Sequence, residues 1–156
     1  MLKLNIIFVL FCLLNLLSCS SENAASKEQV LSQSISELEK RFEARNLSDI
    51  VEYVSENYQD EQGRTIRDIK RTIQVQLMRH KTLYVFTSIG DFTWHDDQNV
   101  TVQIAAAMAG KPIESASLLS SIRADMINFE VDFILEDEIY KVKSAVWRWA
   151  NPSDFL

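Results

Sequence analysis

The sequence predicts a single α+β domain in which a curved antiparallel sheet wraps a long helix, carried behind an export leader. Three observations point there. Apolar residues recur at helical spacing from Ser26 to about His80, alternation with a period of two takes over at Leu83, and a leucine run near the start ends in a cysteine. With 156 residues the chain is long enough for one core. Three glycines and two prolines are too few for a low-complexity or disordered chain. No internal repeat is visible.

The leader is built from Lys3, an apolar stretch from Leu4 to Leu17 broken only by Asn5 and Asn15, and the small residue Ser18 before Cys19. It falls short of the roughly 20 apolar residues that a membrane-spanning helix needs. Residues 1–18 are therefore expected to be a signal peptide, 19–25 a polar tether, 26–150 the folded domain and 151–156 a tail. The segment Leu16-Leu17-Ser18-Cys19 resembles the bacterial lipobox. That resemblance implies cleavage before Cys19 and acylation of its thiol, with several acyl chains holding the protein at about 0.8 kcal/mol per buried methylene. An ordinary cleaved signal, or an uncleaved anchor with Cys19 as a small apolar residue, is the alternative. Ser20 stands where lipoproteins kept in the inner membrane usually carry Asp, so the resemblance implies the outer membrane, facing the periplasm. Cys12 lies in the discarded segment, which leaves no pair for a disulfide.

Each element of the domain has a local cause. Ser26 to Gln29 reads as a capping box, followed by Val30, Leu31, Ile35, Leu38 and Phe42 on one helical face up to about Arg45, where Asn46 is placed to end the helix. Ser48 is suited to cap a short second helix with Ile50, Val51 and Val54. Gly63 supplies a turn in "YQDEQGRT". A second capping box at Thr65 to Asp68 opens a third helix carrying Ile66, Ile69, Ile73 and Leu77. "LYVFTSIGDFTW" and "VTVQIAAAMAG" around the turn "HDDQN" predict one hairpin, and "INFEVDFIL" with "IYKVKSAVWRW" a second. In the last strand Tyr140 and Val142 share one phase while Ala145, Trp147 and Trp149 share the other, so a bulge is expected near Ser144. The expected architecture is three N-terminal helices on about four strands.

That order resembles the NTF2-like superfamily of cystatin-like cones, which also holds ketosteroid isomerases and SnoaL-type polyketide cyclases. The resemblance runs through "FEARNLSDIVEYVSENYQDEQGRTIRDIKRTI", the long hairpin and the closing aromatic strand. "AMAGKPIESASLL", "IRADMINFEVDF" and "YKVKSAVW" resemble the small lipid-anchored NTF2-like proteins of Gram-negative bacteria. By resemblance an isomerase base falls at Asp60, yet the oxyanion partners do not follow: Leu38 stands for the helix-one tyrosine, and Val131 for the pocket acid, with Asp132 on the opposite face. A single missing oxyanion donor costs about 3 kcal/mol of transition-state stabilisation. The favoured reading of Asp60 is a turn residue that bonds its own loop.

Other chemistry is sparse. A formal net charge of -6 argues against nucleic acid as a partner, because phosphate binding needs clustered cations. No nucleotide-binding glycine pattern or nucleophile elbow occurs, and no cofactor is implied. His80 ends the third helix. His95 with Asp96 and Asp97 sits in a turn whose side chains diverge, so no metal site is expected. Trp94, Phe129, Phe133, Trp147 and Trp149, with Tyr84 and Phe86, are expected on the concave side of the sheet or its rim, as core or as lining of a ligand cavity. Arg123 is expected either to meet an anionic ligand or to pair with Asp125 or Asp60. The loop from Lys111 to Arg123 carries Ile113, Leu118, Leu119 and Ile122, which suit a short amphipathic helix over the cone mouth or against a second subunit. The sequence thus points to a noncatalytic, lipid-anchored envelope domain that binds a small apolar ligand or a protein partner, with a homodimer through the sheet as one form. The alternative is an isomerase or cyclase using Asp60.

Overall fold

A computed structural model describes residues 26–156; the leader, Cys19 and the tether lie outside the described residues. Helix α1 spans Lys27–Ala44, α2 Leu47–Val51 and α3 Ile66–Arg79. Four strands follow: β1 Tyr84–Trp94, β2 Asn99–Ala109, β3 Asp125–Glu136 and β4 Ile139–Trp149. They form one antiparallel sheet in sequence order. Two of the three helices are long; α2 is a single turn of 5 residues, so the expected three-helix layer is in substance two helices and a turn. No helix among the described residues is long and apolar enough to cross a membrane.

The helix starts follow the sequence. Ser26 and Gln29 bond reciprocally as a capping box, and Thr65 and Asp68 do the same for α3. The end of α1 differs from expectation. Arg45, not Asn46, takes the left-handed conformation at φ 59°, which frees Asn46 to cap α2 through a bond from the Ser48 amide. Arg45 is held there by its guanidinium, which donates to the carbonyl of Leu77 at 2.6 Å, within the last turn of α3, and to that of Lys81 at 2.5 Å, just beyond it. A cation over helix C-terminal carbonyls is favourable, and it offsets the cost of a non-glycine left-handed residue.

Alternation sorts the sheet into two faces. The inner face carries Val100, Val102 and Ile104 of β2 against Val131 and Phe133 of β3, and α1 lays Leu31 and Ile35 across them. Leu31 is fully buried, and each such side chain contributes about 1.5–3 kcal/mol. A second cluster joins Ile50, Ile73, Leu77 and Leu83 under α3. The outer face at the same end carries Ala105 and Ala107, covered by Leu119 and Phe155. The loop 111–123 therefore contributes a 3-10 turn over Ala116–Leu118 that packs on the outer face, not an amphipathic helix across the inner one. Residues 151–156, expected to be a tail, fold as a 3-10 turn over Pro152–Phe155 that buries Phe155.

Two bulges bend the sheet. On β4, Ser144 pairs with Asp132 but Val142 pairs with Phe133, which leaves Lys143 as the extra residue beside the expected position. On β1, Ile89 pairs with Ile104 and Phe92 with Val102, so Gly90 and Asp91 together oppose Gln103. A Cβ on Gly90 would lie 3.3 Å from Gln103, so the close approach there suits glycine.

Candidate functional site

The connection between α2 and α3 positions Asp60. Ser55 and Gln59 donate their amides to the carbonyls of Val142 and Lys143, stitching the segment to the edge of β4. Gly63, at φ 73°, then reverses the chain. Asp60 sits inside this turn with its side chain almost fully buried. Oδ1 accepts the amides of Gln62 and Arg64, both at 3.0 Å. Oδ2 accepts the Arg64 guanidinium at 2.6 Å and the Tyr58 hydroxyl at 3.3 Å. Burial alone would raise the carboxyl, but the Arg64 amide and guanidinium and the Gln62 amide outweigh it and hold Asp60 below the usual carboxylate range. Burial, followed by the Asp60 charge, pushes the Tyr58 hydroxyl up to about 12.

The narrow end of the cone is filled. Tyr140 is buried under α1 and meets Trp94 edge-on with ring centroids 5.9 Å apart, while the Lys27 ammonium lies 4.5 Å from the Trp94 centroid. Phe133 is 2% exposed and Phe129 is half-buried beside it. Toward the end of β4, here called the wide end, the same face is exposed to solvent. Trp147, opposite Phe129, is 45% exposed and Trp149, opposite Ile127, is 66% exposed. Their rings meet edge to face with centroids 5.7 Å apart. Tyr84 and Phe86 are not part of this face. The β1 bulge reverses the phase between Trp94 and Phe86, so Phe86 pairs with Ala107 and packs against Phe155 on the outer face, ring centroids 6.2 Å apart.

Arg123 forms no ion pair with Asp125 or Asp60. It is exposed; Asp60 is taken by Arg64, and Asp125 lies 3.6 Å from His80 Nε2. Leu38 packs in the α3 cluster and Val131 in the α1 cluster, so neither oxyanion position of the resemblance carries a polar group. Among the described residues no group of three or more His, Cys, Asp or Glu could hold a metal.

Sequence reasoning passed over two features. Glu39 on α1 is half-buried facing Thr87 of β1, and burial, then the charge of Glu43, raises its carboxyl above the usual range. Its helical phase beside Leu38 and Phe42 was the available signal. The second is a cleft of about 640 Å³ beside the β1–β2 turn, lined by the polar residues Asn57, Gln59, His95, Asp132, Lys143 and Ser144 and touching Val100 and Phe133 of the core. Polar residues at alternate positions 128, 130 and 132 of β3 mark the outer face of the sheet in the sequence.

No family model matches the chain, and no curated protein is similar to it in sequence. Solved structures are similar in fold. Bd1075 of Bdellovibrio bacteriovorus superposes with a TM-score of 0.60 at 10% identity, over 77% of this chain and 39% of that one. This chain thus spans well under half the length of Bd1075. A candidate scytalone dehydratase from Novosphingobium aromaticivorans gives 0.59 at 11% identity, over 77% and 81% of the two chains. An NTF-2 like protein of unknown function from Shewanella oneidensis gives 0.55 at 9% identity, over 74% and 93%. The fold is NTF2-like.

Proposed function

We propose that this NTF2-like chain is a lipid-anchored, periplasm-facing domain that binds a small apolar ligand or a protein partner at the wide end of its cone, without catalysing a reaction. The observation that carries the reading is the exposed Trp147–Trp149 pair on the inner face, since large aromatic rings left together in water mark recognition sites. A second copy of the chain, paired through the sheet, is one such partner. The anchor rests on the Leu16 to Cys19 motif alone.

The competing reading makes Asp60 a general base, as in the isomerases that share the fold. A base needs a free lone pair within reach of substrate. Both oxygens of Asp60 are instead engaged by its own turn, and the adjacent Arg64 keeps it ionised and paired.

Two measurements test the proposal. Replacing Cys19 with Ala should move the protein from the membrane fraction to the soluble fraction and abolish labelling by a radioactive fatty acid; unchanged labelling overturns the anchor. Titration of the chain with the apolar fluorophore 1-anilinonaphthalene-8-sulfonate should give saturable binding that Trp147→Ala weakens. Turnover of any substrate that Asp60→Asn abolishes while the fold is kept would establish the enzyme reading instead.

A further inference from the structure

The cleft is assembled from four separate pieces of chain: the β1–β2 turn and start of β2 with His95, Asp96, Asn99 and Val100, the α2–α3 connection with Asn57 and Gln59, β3 with Asp132 and Phe133, and the β4 bulge with Lys143 and Ser144. Its floor is Asp132, whose position is fixed by two hydroxyls. Thr101 Oγ1 donates to Oδ1 at 2.6 Å and Ser144 Oγ to Oδ2 at 2.7 Å. Thr101 has only one proton, and it is spent on Asp132. The 2.7 Å contact between His95 Nε2 and Thr101 Oγ1 is therefore donated by the histidine, which in the neutral ring leaves Nδ1 as an acceptor.

Counting what remains free defines the ligand. Asp96 Oδ1 is filled by the amides of Gln98 and Asn99 and the side-chain amide of Asn99, which also reaches Oδ2 and leaves that oxygen one lone-pair direction. Asp132 keeps two of its roughly four lone-pair directions. The side chains of Asn57, Gln59 and Lys143 have no hydrogen-bond or ion-pair partner among the described residues, so they offer donors, and the two amides offer acceptors as well. Two carboxylates against one ammonium leave the lining with negative charge in excess, which disfavours an anion. The neighbouring Lys143 ammonium, and the three amide donors already on Asp96, disfavour a cation. A ligand that must donate and accept at several points, without net charge, is a polyol.

We propose that this cleft is a binding site for a neutral saccharide, with sugar hydroxyls donating to Asp132 and His95 and accepting from Lys143, Asn57 and Gln59. Its volume of about 640 Å³ lies within the range of small-molecule sites. The hydroxyl-clamped Asp132 is preorganised, which lowers the cost of binding. Neither Trp147 nor Trp149 lines the cleft, so it stands whether or not that pair binds a ligand.

The test is titration of the 15N-labelled full chain in detergent with maltotriose, cellotriose and chitotriose up to about 20 mM, followed by amide shifts, a range that covers the weak affinities of open sites. The expected result is saturable shifts for at least one sugar at Asn57, Gln59, Lys143 and Ser144, weakened about tenfold or more by Asn57→Ala with Lys143→Ala. Should that double variant lose its fold, Asn57→Ser repeats the measurement. No saturable shift with any of the three sugars overturns the proposal, as do shifts centred on Trp147 and Trp149. Equal shifts with maltobionate, a sugar acid, overturn the neutral class.

Discussion

Ser34 and Tyr140, 106 residues apart in sequence, are joined by one hydrogen bond that ties α1 to the start of β4. The Tyr140 amide donates to Ser34 Oγ at 3.1 Å, and the same hydroxyl donates to the Val30 carbonyl at 3.0 Å. Ser34 is 4% exposed, so no water can replace it without rearrangement. Ser34→Ala strands the Tyr140 amide and should cost about 1–3 kcal/mol in urea unfolding, whereas Ser36→Ala on the exposed side of the same helix should cost little.

Asp60 holds its turn by charge. Its carboxyl lies lower in the folded protein than in the unfolded chain, so the stabilisation is fully present above the unfolded value and is lost as pH falls through the folded one. Asp60→Asn should therefore destabilise by about 2–3 kcal/mol at neutral pH, and the gap between variant and parent should close in acid. Chemical denaturation across pH 2–7 reads both. A constant gap would show that the ion pair with Arg64 is not the cause.

Glu39 should behave in the opposite sense. Its carboxyl is raised by burial and by Glu43, so the charged form weakens the fold above the folded value and the penalty disappears below the unfolded one. Glu39→Gln should raise the melting temperature at pH 7 and leave it unchanged in strong acid.

The turn between β3 and β4 is strained. Glu136 pairs with Ile139, so Asp137 and Glu138 form a two-residue loop, both left-handed at φ 53° and 66°. That geometry favours Asp-Gly. Glu138→Gly should stabilise by about 1 kcal/mol, equivalent to roughly 3 °C in calorimetry.

The two rims of aromatic residues should separate cleanly in mutagenesis. Phe133→Ala removes a buried ring and should cost about 3–5 kcal/mol, while Trp147→Ala and Trp149→Ala, largely in water already, should cost less than about 1 kcal/mol. A large loss at Trp147 would make it a packing residue and not a recognition residue.

The capping boxes at Ser26 and Thr65 were legible because short polar signals act on neighbours three residues away, and the β4 bulge was legible because a change of phase at Ser144 has no other explanation. Tyr84 and Phe86 were misplaced for the complementary reason. They share parity with Trp94, and only the bulge at Gly90–Asp91, set by Gln103 on another strand, moves them to the outer face. The pairing expected of Arg123 failed because competition for Asp60 was decided four residues away by Arg64. The cleft was invisible for the same cause: its lining comes from four pieces of chain that meet only after the sheet has formed.

The Lys27–Asp97 contact at 3.3 Å fixes where the polypeptide enters the body, beside the β1–β2 turn. Trp149 ends the far side of β4, ten steps of about 3.3 Å from Ile139. A seven-residue leash reaches at most about 25 Å. If Cys19 carries fatty chains as proposed, the β1–β2 turn is the part of the body held within that reach of the lipid, and the tryptophans lie at the opposite end of the sheet, where a visitor from the aqueous side meets them first.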